Sequence, residues 1–422
     1  MSDRVDTMPR AFATAERAAI HASTGVNMGR QGFLAYYLVQ MLSLVTGNLD
    51  RRGGNVFPAR GVPAMASTEE SMTSRATPWG DYRPAMGTVP GALLADLILS
   101  DEEPIRAMIV MAGNPALSIA GGERLEQAFA SLELLVTIDF YRNATGEFAD
   151  WVLPAADWFE REDLNFFVQG MQRKPYLQWT DAVVQPKGER KTDAWILSRI
   201  LQEMNRPSLF DVPGDDWMAA LWDGPLSEGG YSVAELREAK GNTIVLPDTE
   251  PGSFIAGLAP NGRFDCRSSE IESSFARADR LFEELLVESG ATLKLITRRT
   301  NYMLNSALQN LKALRETRGG RTNPLYMNPG DARDRGLRDG QWVIVRNAYG
   351  ELRAELEIDD DLAAGTVAMT HGFGNENASG MPVAQSMPGV NVNVLSPSGP
   401  GTFDPVGGMS QLTGIAVEVE PA

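Results

Sequence analysis

The stretch that most limits what this chain can fold into is "IRAMIVMA" (105–112), an apolar run that stops at Gly113-Asn114-Pro115. "GERLEQAFASL" (122–132) follows, with Leu125, Phe129 and Leu132 on one helical face, and then a second apolar run, "ELLVTID" (133–139). A third short strand is expected in "FADWVLPAADWFERED" (148–163), ended by Pro154. Nearly continuous apolar strands around an amphipathic helix predict an α/β unit, a parallel sheet covered on both faces. In such sheets a ligand sits beyond the carboxyl ends of the strands.

That rule turns attention to two strand ends. At Gly113, Asn114 and Pro115, glycine lets the backbone approach a ligand, and amides at the following turn and helix start can hold phosphate. An ordinary strand-to-helix turn is the competing reading, because Gly-Asn and Asn-Pro are good turn formers. The second strand ends at Asp139, whose carboxylate can pair with ribose hydroxyls or with the N1–H and 2-amino group of a guanine; Asp139 as a plain turn residue stays open beside this. Thr145 adds a hydroxyl that both donates and accepts. Asp150 is placed to cap or orient the loop before "WVLP".

The rest of the chain divides by composition. Residues 1–24 read as a loose lead-in, 32–49 as a largely buried helix stopped at Gly47-Asn48, 50–64 as a loop, 65–90 as irregular and 91–99 as a short helix. A helix is expected over 191–204 with Thr192 as its cap, then a mixed connecting segment that ends in a helix over 277–289. From 291 onward the pattern changes to short strands: "TLKLITRR", "QWVIVRNA", "GELRAELEI", "GTVAMTHG" and "TGIAVEVE", separated by Gly, Asn and Asp turns. That is the signature of a small β-barrel. At its start, Arg298 and Arg299 can neutralise a pyrophosphate, and Asn301, Asn305 and Ser306 offer neutral hydrogen bonds. The competing reading is a surface turn with solvated arginines. Two long loops, 370–382 and 388–409, are rich in Gly and Asn and suit a ligand with polar ring nitrogens. His371 opens the first, although a lone histidine is more often structural.

Composition excludes several classes. A net charge of -17 argues against general affinity for nucleic acid or anionic lipid. One cysteine, Cys266, excludes a disulfide scaffold and a Cys-rich zinc or iron–sulfur site built from this chain alone, and two histidines argue against a multi-His metal site. Cys266 lies in a polar connector and reads as non-functional. No secretory h-region and no apolar run near membrane-spanning length is seen, so a cytoplasmic protein is expected. No G-x-G-x-x-G follows a strand, which weakens a nicotinamide-dependent dehydrogenase.

Taken in order, the apolar strand, "GNP", helix, strand ending in Asp, "T(x4)D(x)VLPA(x4)E" (145–160) and the barrel segment "NPGDARDRGLRDGQWVIVRNAYGELRAELEIDDDLAAGTV" (328–367) resemble the molybdopterin oxidoreductases, the dimethyl sulfoxide reductase superfamily. "STGVNMGRQGFLAYYLVQMLSLVTGNLDRRGGN" (23–55) is similar to that family's segment between its dinucleotide-binding halves, and the resemblance runs over roughly residues 20–420. It implies doubly wound α/β domains followed by a double-psi β-barrel. The implied division is a lead-in at 1–24, part of a Rossmann-like dinucleotide-binding domain at 25–137, a second α/β segment and connector at 138–290, and the dinucleotide-binding barrel at 291–422.

It also implies the cofactor, molybdenum or tungsten on bis(molybdopterin guanine dinucleotide). Gly113, Asn114 and Pro115 match the loop that touches one guanine dinucleotide arm, and Asp139 and Thr145 the strand end that holds a guanosine. Asp150, Pro154 and Glu160 match an architectural element. The "TRRTNYMLNS" stretch, with Arg298, Arg299, Asn301, Asn305 and Ser306, matches the segment that approaches pterin and phosphates; Asn393 matches an asparagine near a pterin. The family's cysteine-bound iron–sulfur region and metal ligand have no counterpart in these residues, and the connector position of Cys266 does not suit a metal ligand. The chain therefore reads as the C-terminal half of such an enzyme, contributing neither metal ligand nor iron–sulfur cluster. A polypeptide carrying the N-terminal half is the expected partner, besides a small-molecule substrate; nucleic acid and membrane are not expected. A cofactor-binding module without turnover, or a truncated remnant lacking the metal ligand, is the alternative.

Overall fold

A computed structural model describes residues 2–62, 75–77, 80–82, 88–207, 216–301, 303–316 and 322–422. The chain forms two compact units, each discontinuous in sequence. One comprises Met1–Ala22, Tyr36–Ala66 and Pro154–Ser268; the other Ser23–Ala35, Ser67–Leu153 and Ser269–Ala422. The expected segments 25–137 and 138–290 therefore each contribute to both units, and the chain passes between units at 153/154 rather than at 137/138.

Along the chain, β1 (Arg75–Thr77) and β2 (Gly80–Tyr82) form an antiparallel pair inside the segment expected to be irregular; most of the rest of 65–90 lies outside the described residues. β3 (Ala107–Met111), β4 (Leu134–Asp139) and β5 (Trp151–Pro154) form a three-stranded sheet in that order. β3 and β4 are parallel, Ala107 opposite Leu134 and Met111 opposite Ile138, with the helix Gly122–Ser131 as the crossover. Leu125, Ala128 and Phe129 of that helix are buried against Val110 and Leu135, because 3.6-residue spacing puts them on one face.

The expected cover on both faces is met along β4, where Leu135, Val136, Thr137 and Ile138 are all buried, but not along β3. Ile109 and Met111 are 46% and 48% exposed, so one face of β3 is open, and the apolar run overstated its burial. The expected loose lead-in is also corrected, since Ser2–Thr14 is helical.

In the unit containing residues 154–268, β6 (Asp163–Leu164), β7 (Tyr176–Thr180) and β8 (Thr243–Val245) form an antiparallel sheet. Leu177 and Trp179 anchor its core with Leu226 and Leu236. The helix Asp193–Glu203 begins as expected, Thr192 Oγ1 accepting from Trp195 N at 3.3 Å. Residues 208–215 of the mixed connector lie outside the described residues.

The last six strands close a barrel: β9 (Leu293–Arg298), β10 (Leu325–Met327), β11 (Trp342–Arg346), β12 (Glu351–Ile358), β13 (Thr366–Thr370) and β14 (Ile415–Pro421). Its order is β10-β12-β11-β14-β9-β13, with β10–β12 and β9–β13 parallel and the other pairs antiparallel. The alternation in "ELRAELEI" sends Leu352, Ala354 and Leu356 inward beside Val343 and Val345, and the glutamates outward. Asn347 Oδ1 accepts from Tyr349 N and Gly350 N, which sets the β11–β12 turn. β10 was missed by the sequence pattern, three residues being too short to show a period.

Truncating Phe129 to Ala should destabilise its unit by about 3–5 kcal/mol, whereas Glu355→Ala on the barrel's outer face should stay within about 0.5 kcal/mol. Urea unfolding of both variants checks the contrast; equal small losses would mean the sheet–helix contact is not a core.

Candidate functional site

The junction after β3 is held by mutual hydrogen bonds among buried side chains. The chain leaves β3 through Ala112, at φ +50°, and enters a short helical turn, Pro115–Ser118. Asn114 Oδ1 accepts from Thr145 N (3.1 Å) and Thr145 Oγ1 (2.9 Å), and Thr145 Oγ1 accepts from Ala116 N (3.0 Å). Both side chains are buried. Asn114 and Thr145 therefore lock the loop after β3 to the loop after β4. Only Asn114 Nδ2 is left without a protein partner.

Asn143, which sequence reasoning passed over, ties in Asp139. Its Nδ2 donates to Gly113 O (3.2 Å) and Asp139 Oδ2 (3.1 Å), and its Oδ1 accepts from Thr145 N and Gly146 N, both at 3.0 Å. Asp139 Oδ1 accepts from Tyr141 N. Burial raises the Asp139 pKa, opposed by the amides of Tyr141 and Phe140. A carboxylate at an Asx turn four residues before an Asn was the available signal for Asn143. Asp150 Oδ2 accepts from Leu135 N (2.8 Å), so it pins the loop before β5 to β4. Glu160 is buried, accepting from Asp157 N (3.0 Å) and Arg190 Nη1 (2.5 Å).

In the same unit, the barrel's loops reach this rim. Asn393, which is buried, donates to Leu117 O (2.7 Å), and Asn391 donates to Ala116 O (3.2 Å). Ser379 N and Oγ donate to Glu147 Oε1, while Arg142 pairs with Glu147 Oε2 at 3.2 Å. A Cβ on Gly380 would lie 2.7 Å from Arg142 N, so only glycine allows this approach.

His371, Asn305 and Ser306 form the second group. His371 Nε2 lies 2.8 Å from Asn305 Oδ1, and Asn305 itself sits at φ +50°. A Cβ on Gly372 would fall 2.4 Å from Asn305 O and 3.1 Å from Ser306 N, so these two loops touch backbone to backbone. Burial, with Arg299 nearby, lowers the His371 pKa, which keeps the ring neutral near pH 7. Beneath lies Arg315, fully buried, stacked 4.9 Å over Phe373 and donating to Gln309 Oε1 at 2.6 Å and to the Met387 carbonyl. Burial brings its pKa down to about 10. Nothing in "LKALRET" signals this arginine.

Gly374 packs on Asn391, and Asn391 binds Ala116 O, so the His371 loop and the junction after β3 are one continuous rim. Gly113, Asn114, Pro115, Asp139, Thr145 and Asn393 meet at one end of it; Arg299, Asn305, Ser306 and His371 meet at the other. Arg298 pairs with Asp359 (2.6 Å), lowering that carboxyl's pKa, and lies 4.3 Å over Tyr326. Arg299 is the guanidinium near His371. Asn301 is exposed, and Tyr302 lies outside the described residues. Cys266 is exposed and Tyr37 donates to its carbonyl, away from both groups in sequence and in the other unit. No helix among the described residues is long and apolar enough to cross a membrane.

The family model "Molybdopterin oxidoreductase" matches residues 5–203, and "Molydopterin dinucleotide binding domain" matches 293–416. The matches thus begin at residue 5, inside the expected lead-in and ahead of the roughly 20–420 expected, and leave 204–292 between them unmatched. Among curated proteins, the chain is 26% identical over 291 residues to the probable oxidoreductase YyaE of Bacillus subtilis, covering 66% of this chain and 42% of that protein. It is 24% identical over 409 residues to biotin sulfoxide reductase of Cereibacter sphaeroides, covering 84% of this chain and 52% of that protein. The chain spans about half the length of these relatives. Among solved structures, acetylene hydratase from Pelobacter acetylenicus superposes with a TM-score of 0.74 at 18% identity, covering 100% of this chain and 63% of that one, a likeness of fold.

Two outcomes follow from the rim. Thr145→Val should cost about 1–3 kcal/mol, because Ala116 N loses its acceptor and Asn114 Oδ1 loses a donor, with Thr145→Ser recovering most of it by thermal melting. The lowered His371 value means the unfolded chain takes up that proton first as pH falls. His371's share of stability is full above about pH 6.5 and is lost below it, until the folded value is reached. Between about pH 7.5 and about pH 5.5, His371→Gln should lose less stability than the parent; an equal slope would deny the buried neutral ring.

Proposed function

We infer that this chain, which carries the molybdopterin oxidoreductase and molydopterin dinucleotide-binding domains, holds one guanine dinucleotide arm of a bis(molybdopterin guanine dinucleotide) molybdenum or tungsten cofactor within an oxidoreductase. The observation that carries the reading is the continuous rim, with a desolvated carboxylate at one end and a guanidinium beside a neutral imidazole at the other. The residues fit the group. Asp139 is suited to the N1–H and 2-amino group of guanine, and Gly113 leaves the backbone accessible. Arg299 supplies positive charge for a pyrophosphate. Asn114 Nδ2, His371 Nδ1, Thr300 Oγ1 and Asn375 Oδ1 are buried polar atoms with no protein partner, and a polar heterocycle with amino groups and ring nitrogens would complete them.

When bound, the cofactor supplies the redox chemistry, oxygen-atom or hydride transfer. The chain's residues orient and enclose its nucleotide arm. Asn114, Asn143 and Thr145 fix the loops; Asn391 and Asn393 hold the barrel against them. The barrel's two parallel pairs suit a double-psi arrangement, and the parallel β3–β4 pair suits part of a doubly wound sheet. The metal ligand and iron–sulfur ligands come, in this reading, from the polypeptide expected as a partner, corresponding to the rest of the relatives' length, and the open face of β3 is where it packs.

The chain, purified from cells that make the cofactor, would be assayed for guanine nucleotide released by acid and for bound metal. Asp139→Asn, which keeps an oxygen for the Tyr141 amide but replaces a carboxylate oxygen that would accept from guanine with a donor, should lower bound guanine nucleotide by at least about tenfold, with a melting temperature that falls far less than that of Asp139→Ala. Retention of nucleotide in Asp139→Asn would overturn the site. Metal with turnover of an artificial electron acceptor supports the oxidoreductase; nucleotide without metal would reassign the chain as a cofactor-binding module.

A further inference from the structure

The helix Ser269–Leu286 lies between the two family matches, which end at 203 and begin again at 293. Its surface is thus outside both family domains. Within its own unit the helix is fixed on one face: Ile271 and Ser274 are buried, Arg277 Nη2 lies 3.8 Å from Asp404, and Glu284 pairs with Arg30 at 2.7 Å. At 3.6 residues per turn, Phe275, Phe282 and Leu286 continue the line that begins at the buried Ile271, with Leu285 on the Ser274 side. They are 45%, 64%, 68% and 46% exposed, so beyond Ile271 the apolar face of the helix is left uncovered. Asp279 and Glu283 lie four residues apart along the edge of that strip, both exposed.

We propose that this strip docks an amphipathic helix of a partner protein, one with large apolar anchors and Lys or Arg side chains that face Asp279 and Glu283. Contiguous exposed aromatic and leucine side chains on a rigidly held helix mark an interaction surface, read by a partner helix at i, i+3, i+4 and i+7 spacing. The acidic edge selects the partner, as flanking charges do in paired helices. A lipid surface fits poorly, because helices that lie on membranes carry Lys and Arg beside the apolar face, and anionic leaflets repel carboxylates. A second copy fits poorly as well, since antiparallel two-fold pairing sets acidic edge against acidic edge and each chain carries a net charge of -17.

The test uses the full chain and fluorescein-labelled helical peptides of about 18 residues that share one Leu/Phe face and differ only in a lysine or glutamate edge. By fluorescence anisotropy the lysine-edged peptide should bind at least about tenfold more tightly than the glutamate-edged one, and less tightly as salt rises. Phe282→Glu, at an exposed position, should weaken it by at least about tenfold without moving the melting temperature. Asp279→Lys with Glu283→Lys should reverse the preference between the peptides. Equal affinity for both peptides, or indifference to Phe282→Glu, would overturn the proposal. So would a dimer in sedimentation that Phe282→Glu abolishes, which would make the occupant a second copy. Flotation with neutral phosphatidylcholine vesicles that Phe282→Glu abolishes would make it a lipid surface, and would overturn it equally.

Discussion

Buried polar side chains must find partners, and the arrangement of the unit that contains the barrel depends on how Asn114 and Thr145 find theirs. An unsatisfied buried donor or acceptor costs about 1–3 kcal/mol, comparable to a large part of a domain's net stability. Each of the two side chains answers the other, and Thr145 answers the amide of Ala116 as well. That closes the ends of β3 and β4 into a single rim. Asn391 and Asn393 can then dock the barrel's loop on the carbonyls of Ala116 and Leu117, because those carbonyls are already held in place.

The same demand explains why the rim is built from asparagines. Asparagine offers two donors and an acceptor on a short side chain, so one residue can serve two backbone segments. Asn143 joins Gly113 and Asp139 to the turn at 145–146, and Asn323 joins Thr370 to Val390. Charged groups are used more sparingly inside. Arg315 is buried through a neutral glutamine, a carbonyl and an aromatic face, and its lowered pKa records the desolvation. Arg298 instead meets Asp359 near the surface, where such pairs contribute little.

Much of the fold was legible in periodicity. The β3–helix–β4 unit, the strand alternation of "ELRAELEI" and the Thr192 cap lie where the pattern puts them. The helix at Ser2–Thr14 was not legible as structure, since Pro9 falls in its middle, where a proline reads as a break. β10 was too short, and the open face of β3 was hidden because a run of apolar residues records hydrophobicity and not whether anything covers it. Of the site, strand ends pointed to Gly113 and Asp139 by a topological rule. Asn143, Asn391 and Arg315 were invisible because their meaning lies in residues far away along the chain.

By itself the sequence determined the local choices: which segments are strands or helices, where glycine and asparagine punctuate them, and that a strand-rich barrel follows an α/β portion. Those follow from interactions among near neighbours, where side-chain period and turn chemistry decide. Only the tertiary structure decided that two discontinuous units divide the chain, that Asn393 reaches Leu117, that Arg298 pairs with Asp359 while Arg299 stays by His371, and that one face of the helix Ser269–Leu286 is left uncovered. The reason is that burial and hydrogen-bond satisfaction are properties of the assembled surroundings. A side chain's partner is set by closure of loops over hundreds of residues, and no local pattern carries that information.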